Sequence, residues 1–358
     1  MPEALLELRD PGDVFRHIEN WLRGYGFFTA GGENLVADVY LGYGLSEPLR
    51  RETSAPPPEP CPALPLAACR VRAAESHVSR RSSSFSLGAW EQTWTGAEYA
   101  TAVDDVRSAI ERGDVYQVNL VQHLSAPFSG EPAALAARLV PLRPLSPTPF
   151  VTDDWAIVSA SPELFLTRRG DRLSTKPIKG TRPRGAAALL RGSEKDAAEH
   201  VMIVDLERND LSRVCEPGSV RWPELMATRE LAGVAHMVST VEGELREGVG
   251  LAEILAATFP GGSVTGAPKI AAVDLIAELE PVGRGASMGA LGTIYSNGDF
   301  ELALTIRTFA VANDTIHLWV GGGVVWDSDA LAEVEESWTK ARPLLAAIGS
   351  LVPEAILA

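Results

Sequence analysis

The stretch GALGTIYSNGDFELALTIRTFAVANDTIHLWV, running from Gly289 to Val320, decides the fold class. It reads as a meander: a strand over Gly289–Tyr295, a hairpin turn at Asn297-Gly298, a strand over Phe300–Val311, a turn at Asn313-Asp314 and a strand over Thr315–Val320. Asn-Gly tolerates the positive φ of a tight hairpin turn, and hairpins join antiparallel neighbours. Directly after the meander, Gly321-Gly322-Gly323 either lets a ligand approach the backbone or forms a bulge. A final helix beginning near Ser328 follows, with Glu333 and Glu336 three residues apart and so on one face.

Toward the amino terminus, the spacing predicts a helix over Ile270–Leu279, the glycine-rich passage Pro260–Lys269 before it, a helix over Leu251–Phe259, and a long strand over Val234–Leu245 containing His236. A helix capped at Ser193 and reaching about Leu211 puts Asp196 and Glu199 on one face. Before it come strands over Arg172–Thr175, Leu164–Arg168 and Trp155–Ala160, a helix over Pro132–Leu139, and a strand over Val115–Leu124 with Gln117 and Asn119 on one face. Thr95 caps a helix that Gly113 closes. Residues 1–92 are weakly patterned, with a helix over Asp13–Leu22 and six prolines between Thr53 and Pro65 that force extended, loop-like geometry. Strands and helices in irregular order, many joined by hairpins, indicate an α+β fold rather than a doubly wound parallel sheet. The chain divides into a short amino-terminal part, 1–92, packing on a main domain, 93–352.

The 358 residues are 46% hydrophobic and 22% charged, ample material for a buried core. A net charge of −15 argues against nucleic acid or an anionic membrane as partner, since either needs a basic face, and leaves a small anion open. Cys61, Cys69 and Cys215 are too scattered for a disulfide framework or a four-ligand zinc site. The amino terminus lacks a basic and then apolar leader, and no apolar run approaches membrane-spanning length, so the expectation is a soluble cytoplasmic protein.

Against this acidic background, Lys176-Pro177-Ile178-Lys179-Gly180-Thr181-Arg182-Pro183-Arg184-Gly185 packs four cations, two prolines and two glycines into ten residues. That composition predicts a rigid positive loop, either a solvated turn or a site for an anionic small molecule. Like charges around Lys179 are expected to lower its pKa and make a neutral, nucleophilic amine accessible. The pairs Asp196/Glu199 and Glu333/Glu336 are each compatible with a solvated helix face; together they would offer the all-oxygen donors that magnesium takes. The passage before Ile270 offers backbone amides to an anion or is a structural turn, and it lacks the Gly-Lys-Ser/Thr of a nucleotide-binding loop. A lone strand histidine such as His236 is more often structural than catalytic.

Taken in order, Pro177–Gly185, Glu199-His200 with Val204-Asp205-Leu206-Glu207-Arg208-Asn209-Asp210-Leu211, Phe259-Pro260-Gly261-Gly262-Ser263 through Gly266-Ala267-Pro268-Lys269, Thr305-Ile306-Arg307-Thr308, and Gly321-Gly322-Gly323 with Glu336 and Lys340-Ala341-Arg342 closely resemble the chorismate-utilising enzymes. The likeness runs from about residue 95 to 350 in one consistent order. It implies two orthogonally packed, mainly antiparallel sheets flanked by helices, with a magnesium-dependent site between them. By position, Glu199 and Glu336 would hold the metal, with Asp196 and Glu333 as supporting carboxylates. Gly180, Thr181, Arg307, Gly321, Gly322, Gly323, Gln117 and Lys340 match substrate-site positions. Glu163 matches the general acid at the departing hydroxyl, and His236 the active-site histidine.

Within the family the chain is most similar to component I of the aminodeoxychorismate synthases. Lys179 stands where those enzymes carry a lysine thought to attack ring carbon 2 and expel the 4-hydroxyl, and where anthranilate synthases usually have alanine. Gln117 stands where isochorismate and salicylate synthases carry a lysine that activates water. The implied reaction converts chorismate and ammonia to 4-amino-4-deoxychorismate for folate or another p-aminobenzoate product. Anthranilate or 2-amino-2-deoxyisochorismate synthesis, and a chorismate-binding subunit without turnover, are the alternatives. No cysteine lies in a Gly-x-Cys-x-Gly nucleophile turn, so ammonia is expected as free ammonium or from a separate glutamine amidotransferase. Three positions depart from the family pattern. Leu5-Leu6-Glu7-Leu8 only approximates the Leu-Leu-Glu-Ser of a tryptophan site, Ser287 stands where an aromatic often lies along the substrate, and Pro343 is expected to interrupt the last helix.

Overall fold

The computed structural model describes residues 4–29, 34–52, 54–74, 84–183, 192, 194–231 and 234–350. The cap expected at Ser193, and Arg184 and Gly185 of the basic stretch, lie outside the described residues. One sheet holds β1 (Ala4–Leu8), β2 (Leu35–Leu41), β3 (Ala67–Ala73), β9 (Leu164–Arg169), β10 (Arg172–Lys176), β11 (Ile178–Pro183), β12 (Arg221–Leu231), β13 (Val234–Glu244), β15 (Ala290–Tyr295) and β16 (Phe300–Leu304). The other holds β4 (Phe85–Leu87), β5 (Glu91–Gln92), β6 (Gln117–Gly130), β7 (Phe150–Val151), β8 (Trp155–Ser159), β14 (Gly266–Ala267), β17 (Thr308–Ala312) and β18 (Thr315–Val324). The α-helices among the described residues are α1 (Val14–Gly24), α2 (Gly96–Arg112), α3 (Pro132–Leu139), α4 (Glu194–Ser212), α5 (Leu251–Thr258), α6 (Lys269–Leu279) and α7 (Ala330–Ala347). The strand pairings are antiparallel, as the hairpin-rich sequence requires. None of the helices is long and apolar enough to cross a membrane.

Local chemistry explains several boundaries. Thr95 accepts from the Glu98 N–H while the Glu98 carboxylate reaches back to the Thr95 N–H, a complete capping box that starts α2. Asp329 caps α7 by accepting from Ala332 N–H at 2.9 Å. Pro343 lies within α7 without ending it, because Ala341, Leu344 and Leu345 around it are buried in the core beneath α3. The amino-terminal strands, which residues 1–92 give little sign of, are hydrogen-bonded into the first sheet through β2 and β15.

Two expectations need correction. The single strand expected over Phe300–Val311 is two strands in different sheets, β16 and β17, because Arg307 has a left-handed backbone (φ 50°) that an extended ladder cannot accept. The basic stretch expected as a loop is the end of β10 followed by β11. Its irregularity survives as a register shift between Lys179 and Thr181, where Gly180 has φ 65°. The prolines are tolerated because β11 is paired to β13 along one edge only.

One core lies between the sheets, with Phe165, Leu302 and Leu304 of the first facing Leu120, Ile157 and Trp319 of the second. The other face of the second sheet packs Leu124, Phe309 and Leu318 against Leu135, Trp338 and Leu344 of α3 and α7. Buried in that sheet, His123 Nε2 meets His317 Nδ1 at 3.0 Å and His123 Nδ1 meets Thr93 Oγ1 at 2.7 Å. Burial, with the second ring as a further cause at His123, pushes His123 down to about 3 and His317 to about 4. The unfolded chain takes up these protons from about pH 6.5 downward while the folded one resists. Stability is therefore complete above that pH and falls on acidification toward pH 4. We expect His317→Gln to flatten this decline, read from urea midpoints across the acid range.

Candidate active site

Two places where the chain passes between the sheets create the site. β8 runs through Ser161-Pro162-Glu163 into β9, and β16 runs through Thr305-Ile306-Arg307 into β17. β8 pairs with β17 and β9 with β16, so the two crossings lie side by side. They are joined by Leu304 N–H to the Glu163 carbonyl and Ala160 N–H to the Arg307 carbonyl, both 3.0 Å.

Around these crossings is a cavity of about 360 Å³. Glu163 and Arg307 line it together with Lys179 and Gly180 of β11, His236 of β13, Gly321 and Gly323 of β18, Asp196 and Glu199 of α4, and Glu333, Glu336 and Lys340 of α7. Residues far apart in sequence are thus brought to one wall. Gln117 and Gly322 stand behind that lining. Gln117 Nε2 donates to Glu199 Oε1 at 2.9 Å, and a Cβ on Gly322 would meet Lys340 Nζ at 3.2 Å. A Cβ on Gly323 would meet Gln117 Nε2 and Glu199 Oε1, the latter at 2.5 Å, so a side chain there would push these two side-chain ends aside. The side chain of Thr181 lies outside the described residues.

Lys179 is not a surface lysine. Its side chain is 10% exposed, and Nζ pairs with Glu199 Oε1 at 2.8 Å and reaches the Ser263 carbonyl at 3.4 Å. The expected lowering of its pKa is overturned: burial pulls it down, but Glu199, Glu163 and Glu336 outweigh burial and raise it. Lys176, the neighbouring cation of the stretch whose side chain is described, is exposed, while Lys179 faces carboxylates.

Glu163 Oε1 accepts from Ser263 Oγ at 2.8 Å and from Ile178 N–H at 3.3 Å. Burial raises its pKa against the opposing pull of Ser263 and Lys179, which favours a protonated carboxyl able to donate. His236 Nδ1–H donates to the Gly180 carbonyl at 3.0 Å. Burial, then the charge of Arg307, pushes its pKa down to about 4, so the ring is neutral near pH 7. Arg307, half-buried at the cavity wall, makes no side-chain hydrogen bond or ion pair with the described residues. A guanidinium in that condition suits an anionic ligand, above all a carboxylate gripped by two parallel N–H bonds.

Glu336 pairs with Lys340, whose Nζ also donates to the Gly321 carbonyl, both at 2.8 Å; Glu333 accepts from Ser328 Oγ at 2.7 Å. Among the described residues no three histidine, cysteine or acidic side chains gather into a ready-made metal cage. The donors present are carboxylates on two helices bordering one cavity. That suits a hard cation which uses one or two carboxylates and draws its other ligands from water and substrate.

Ser263 is the functional residue that the sequence alone does not single out; its only signal is its place in the glycine-rich motif. That passage is a turn buried from Gly261 to Ala267, in which the N–H groups of Gly262, Val264 and Thr265 are bonded to Glu207, Gly261 and Gly262. Ser287 is fully buried and does not line the cavity, whereas its neighbour Met288 does.

A family profile described as chorismate binding enzyme matches residues 49–346. The chain belongs to that family. Anthranilate synthase component 1 of Streptomyces coelicolor is 38% identical over 361 residues, covering 97% of this chain and 67% of the relative. Aminodeoxychorismate synthase component 1 of Bacillus subtilis is 40% identical over 276 residues, covering 74% of this chain and 58% of the relative. The chain thus spans about three-fifths to two-thirds of the length of these relatives. Among solved structures, anthranilate synthase component I of Streptococcus pneumoniae matches with a TM-score of 0.81 at 25% identity, covering 96% of this chain and 92% of that one. Chorismate, from which the family takes its description, carries two carboxylates, the kind of group a guanidinium can grip with two parallel N–H bonds. We expect Arg307→Lys, which cannot make the two-pronged contact, to weaken chorismate binding about 10- to 100-fold in calorimetry.

Proposed function

We propose that this chorismate-utilising enzyme aminates its substrate at ring carbon 4, as component I of an aminodeoxychorismate synthase, with Lys179 as covalent nucleophile. The observation that carries this reading is the Lys179 amine itself, withdrawn from solvent in the cavity wall 2.8 Å from Glu199. Lysine is seldom buried without a task, and among the described residues no other lysine of the site stands so close to Ser263, the partner of the general-acid candidate.

Arg307 takes a substrate carboxylate, and the neutral Lys179 amine attacks carbon 2. Both ring double bonds shift by one place, the bond from carbon 4 to oxygen breaks, and the oxygen leaves as water with the proton of Glu163. Ammonia then attacks carbon 4, both double bonds shift back, and the bond from carbon 2 to Lys179 breaks. Chorismate and ammonia become 4-amino-4-deoxychorismate and water, and the proton released as carbon–nitrogen bonds form returns to Glu163. Neutral His236, fixed on the Gly180 carbonyl, holds β11 in register beside the reacting carbon.

We assign Glu199 and Glu336 as the residues that would hold magnesium, with Asp196 and Glu333 in support. Bound there, magnesium would supply positive charge opposite a substrate carboxylate. A cation held by Glu199 would weaken the largest of the charges that favour the ammonium form of Lys179, so its amine would lose a proton more readily. The three cysteines are buried and free, and none lies in a glutaminase nucleophile turn. The proposed ammonia source is solution or a separate amidotransferase, in keeping with the component naming of the relatives.

The test is incubation with chorismate, magnesium and ammonium, followed by an aminodeoxychorismate lyase. Formation of p-aminobenzoate is expected; fluorescent anthranilate without the lyase would show ortho amination instead. Lys179→Ala and Lys179→Arg should both abolish para amination, the second while keeping a cation beside Glu199. Glu163→Gln should lower kcat about 100- to 10,000-fold.

A further inference from the structure

Two motifs singled out in the sequence, Val204–Leu211 and Gly266–Lys269, contribute nothing to the cavity wall. They meet behind it. Lys269 Nζ pairs with Asp210 and donates to the Thr258 carbonyl at 3.1 Å. One turn earlier on α4, Glu207 is buried, and its Oε1 accepts from the Gly262 N–H at 3.0 Å. A Cβ on Gly262 would lie 2.6 Å from Leu206 Cδ2 and 3.1 Å from Glu207 Oε1, so this peptide rests directly on α4. On the far side of Ser263, the Val264 carbonyl accepts from Arg284 at 2.9 Å, and Arg284 is paired to Glu280 at 2.7 Å. The backbone on either side of Ser263 is therefore gripped by a buried charged or acidic side chain. Ser263 passes that rigidity to the site, its hydroxyl donating to Glu163 and its carbonyl accepting from Lys179.

We propose that Glu207 is a positioning residue: it holds the Gly262 peptide against α4, thereby fixes Ser263, and through Ser263 orients the carboxyl of Glu163. The inference rests on the amination reading only for the role of Glu163 as proton donor; the placement of Ser263 is measurable without it. Burial, reinforced by Asp210, raises the pKa of Glu207, which favours an uncharged carboxyl whose carbonyl oxygen accepts from the Gly262 N–H. Glutamine reproduces that acceptor, methionine fills the space without one, and an unsatisfied buried N–H would push the Gly262 peptide away. Glu163 is faced by Lys179, Arg307, Ser263 and the Ile178 N–H, and Glu207 also acts on it by charge, an effect that Glu207→Gln and Glu207→Met remove equally. The Ser263 hydroxyl favours its ionised form, so losing that bond raises its pKa.

The experiment compares Glu207→Gln, Glu207→Met and Glu207→Ala. Chorismate consumption, which is blind to the position of amination, gives kcat, KM and their pH profiles, and each variant is crystallised. Glu207→Gln should behave as the parent. Glu207→Met and Glu207→Ala should lose about 10- to 100-fold in kcat with KM little changed, and the basic limb of the rate profile should move to higher pH. In their crystals the Ser263 hydroxyl should have left Glu163. Equal losses in all three variants, an unmoved basic limb, or a Ser263 hydroxyl still on Glu163 in Glu207→Met would overturn the inference. If the parent chain consumed no chorismate, the functional reading would fall, and the position of Ser263 in the crystals would still decide this one.

Discussion

Two backbone hydrogen bonds hold this site together. The Leu304 N–H to the Glu163 carbonyl and the Ala160 N–H to the Arg307 carbonyl lock two adjacent crossings between the sheets. A strand that leaves one sheet for another must break its ladder, and backbone released that way needs new partners. Here each crossing supplies the other. The break also frees two side chains from the alternation of a pleated strand, so an acid and a cation point into one cavity instead of a core or solvent. Ser159, Ser161 and Thr308 reinforce the joint from within, with Ser159 Oγ 2.8 Å from Thr308 Oγ1 and 3.1 Å from the Ser161 N–H. Arg307 carries the cost as a left-handed, non-glycine backbone, the kind of strain that accumulates where geometry serves chemistry.

How much of this is legible in the residues follows from what each element's signal depends on. The hairpin at Asn297-Gly298, the helix capped at Thr95 and the helix ending at Leu279 carry short-range signals. Turn residues, a cap and apolar spacing place each of them to within a residue or two. The strand β2 carries no such signal, because it is buried nearly throughout and shows no alternation between apolar and polar faces, and in β3 the alternation is confined to Cys69–Ala73. The division of Phe300–Val311 is hidden for a related reason. Leu302, Leu304, Phe309 and Val311 keep an apolar pattern across the crossing, since both sheets bury them. Only the conformation at Arg307 marks the change.

The site is legible by likeness and position, but its electrostatics are not. Read from sequence, the field at Lys179 comes from Lys176, Arg182 and Arg184. A strand turns successive side chains to opposite faces, and charge near in sequence need not be near in space. The facing element, α4, decides the sign through Glu199. Sequence adjacency is therefore a poor guide to pKa on a strand, whereas on a helix the spacing of Asp196 and Glu199 does identify two residues lining one cavity.

The balance of charge in the cavity leads to one further step. Lys179, Arg307 and Lys340 are outnumbered by Glu163, Asp196, Glu199, Glu333, Glu335 and Glu336. Even with Glu163 protonated, a dicarboxylate would enter a pocket that already holds more negative than positive groups. Arg307 can take one carboxylate, but Lys179 and Lys340 are committed to Glu199 and Glu336. Among the described residues of the wall, the second carboxylate then has no uncommitted cation to meet. A cation held by Glu199 and Glu336 would supply the positive charge that such a substrate lacks, and would weaken the hold of Glu199 on Lys179. On the function proposed above, the excess of carboxylates, which looks unsuited to an anionic substrate, would couple substrate binding to release of the Lys179 amine.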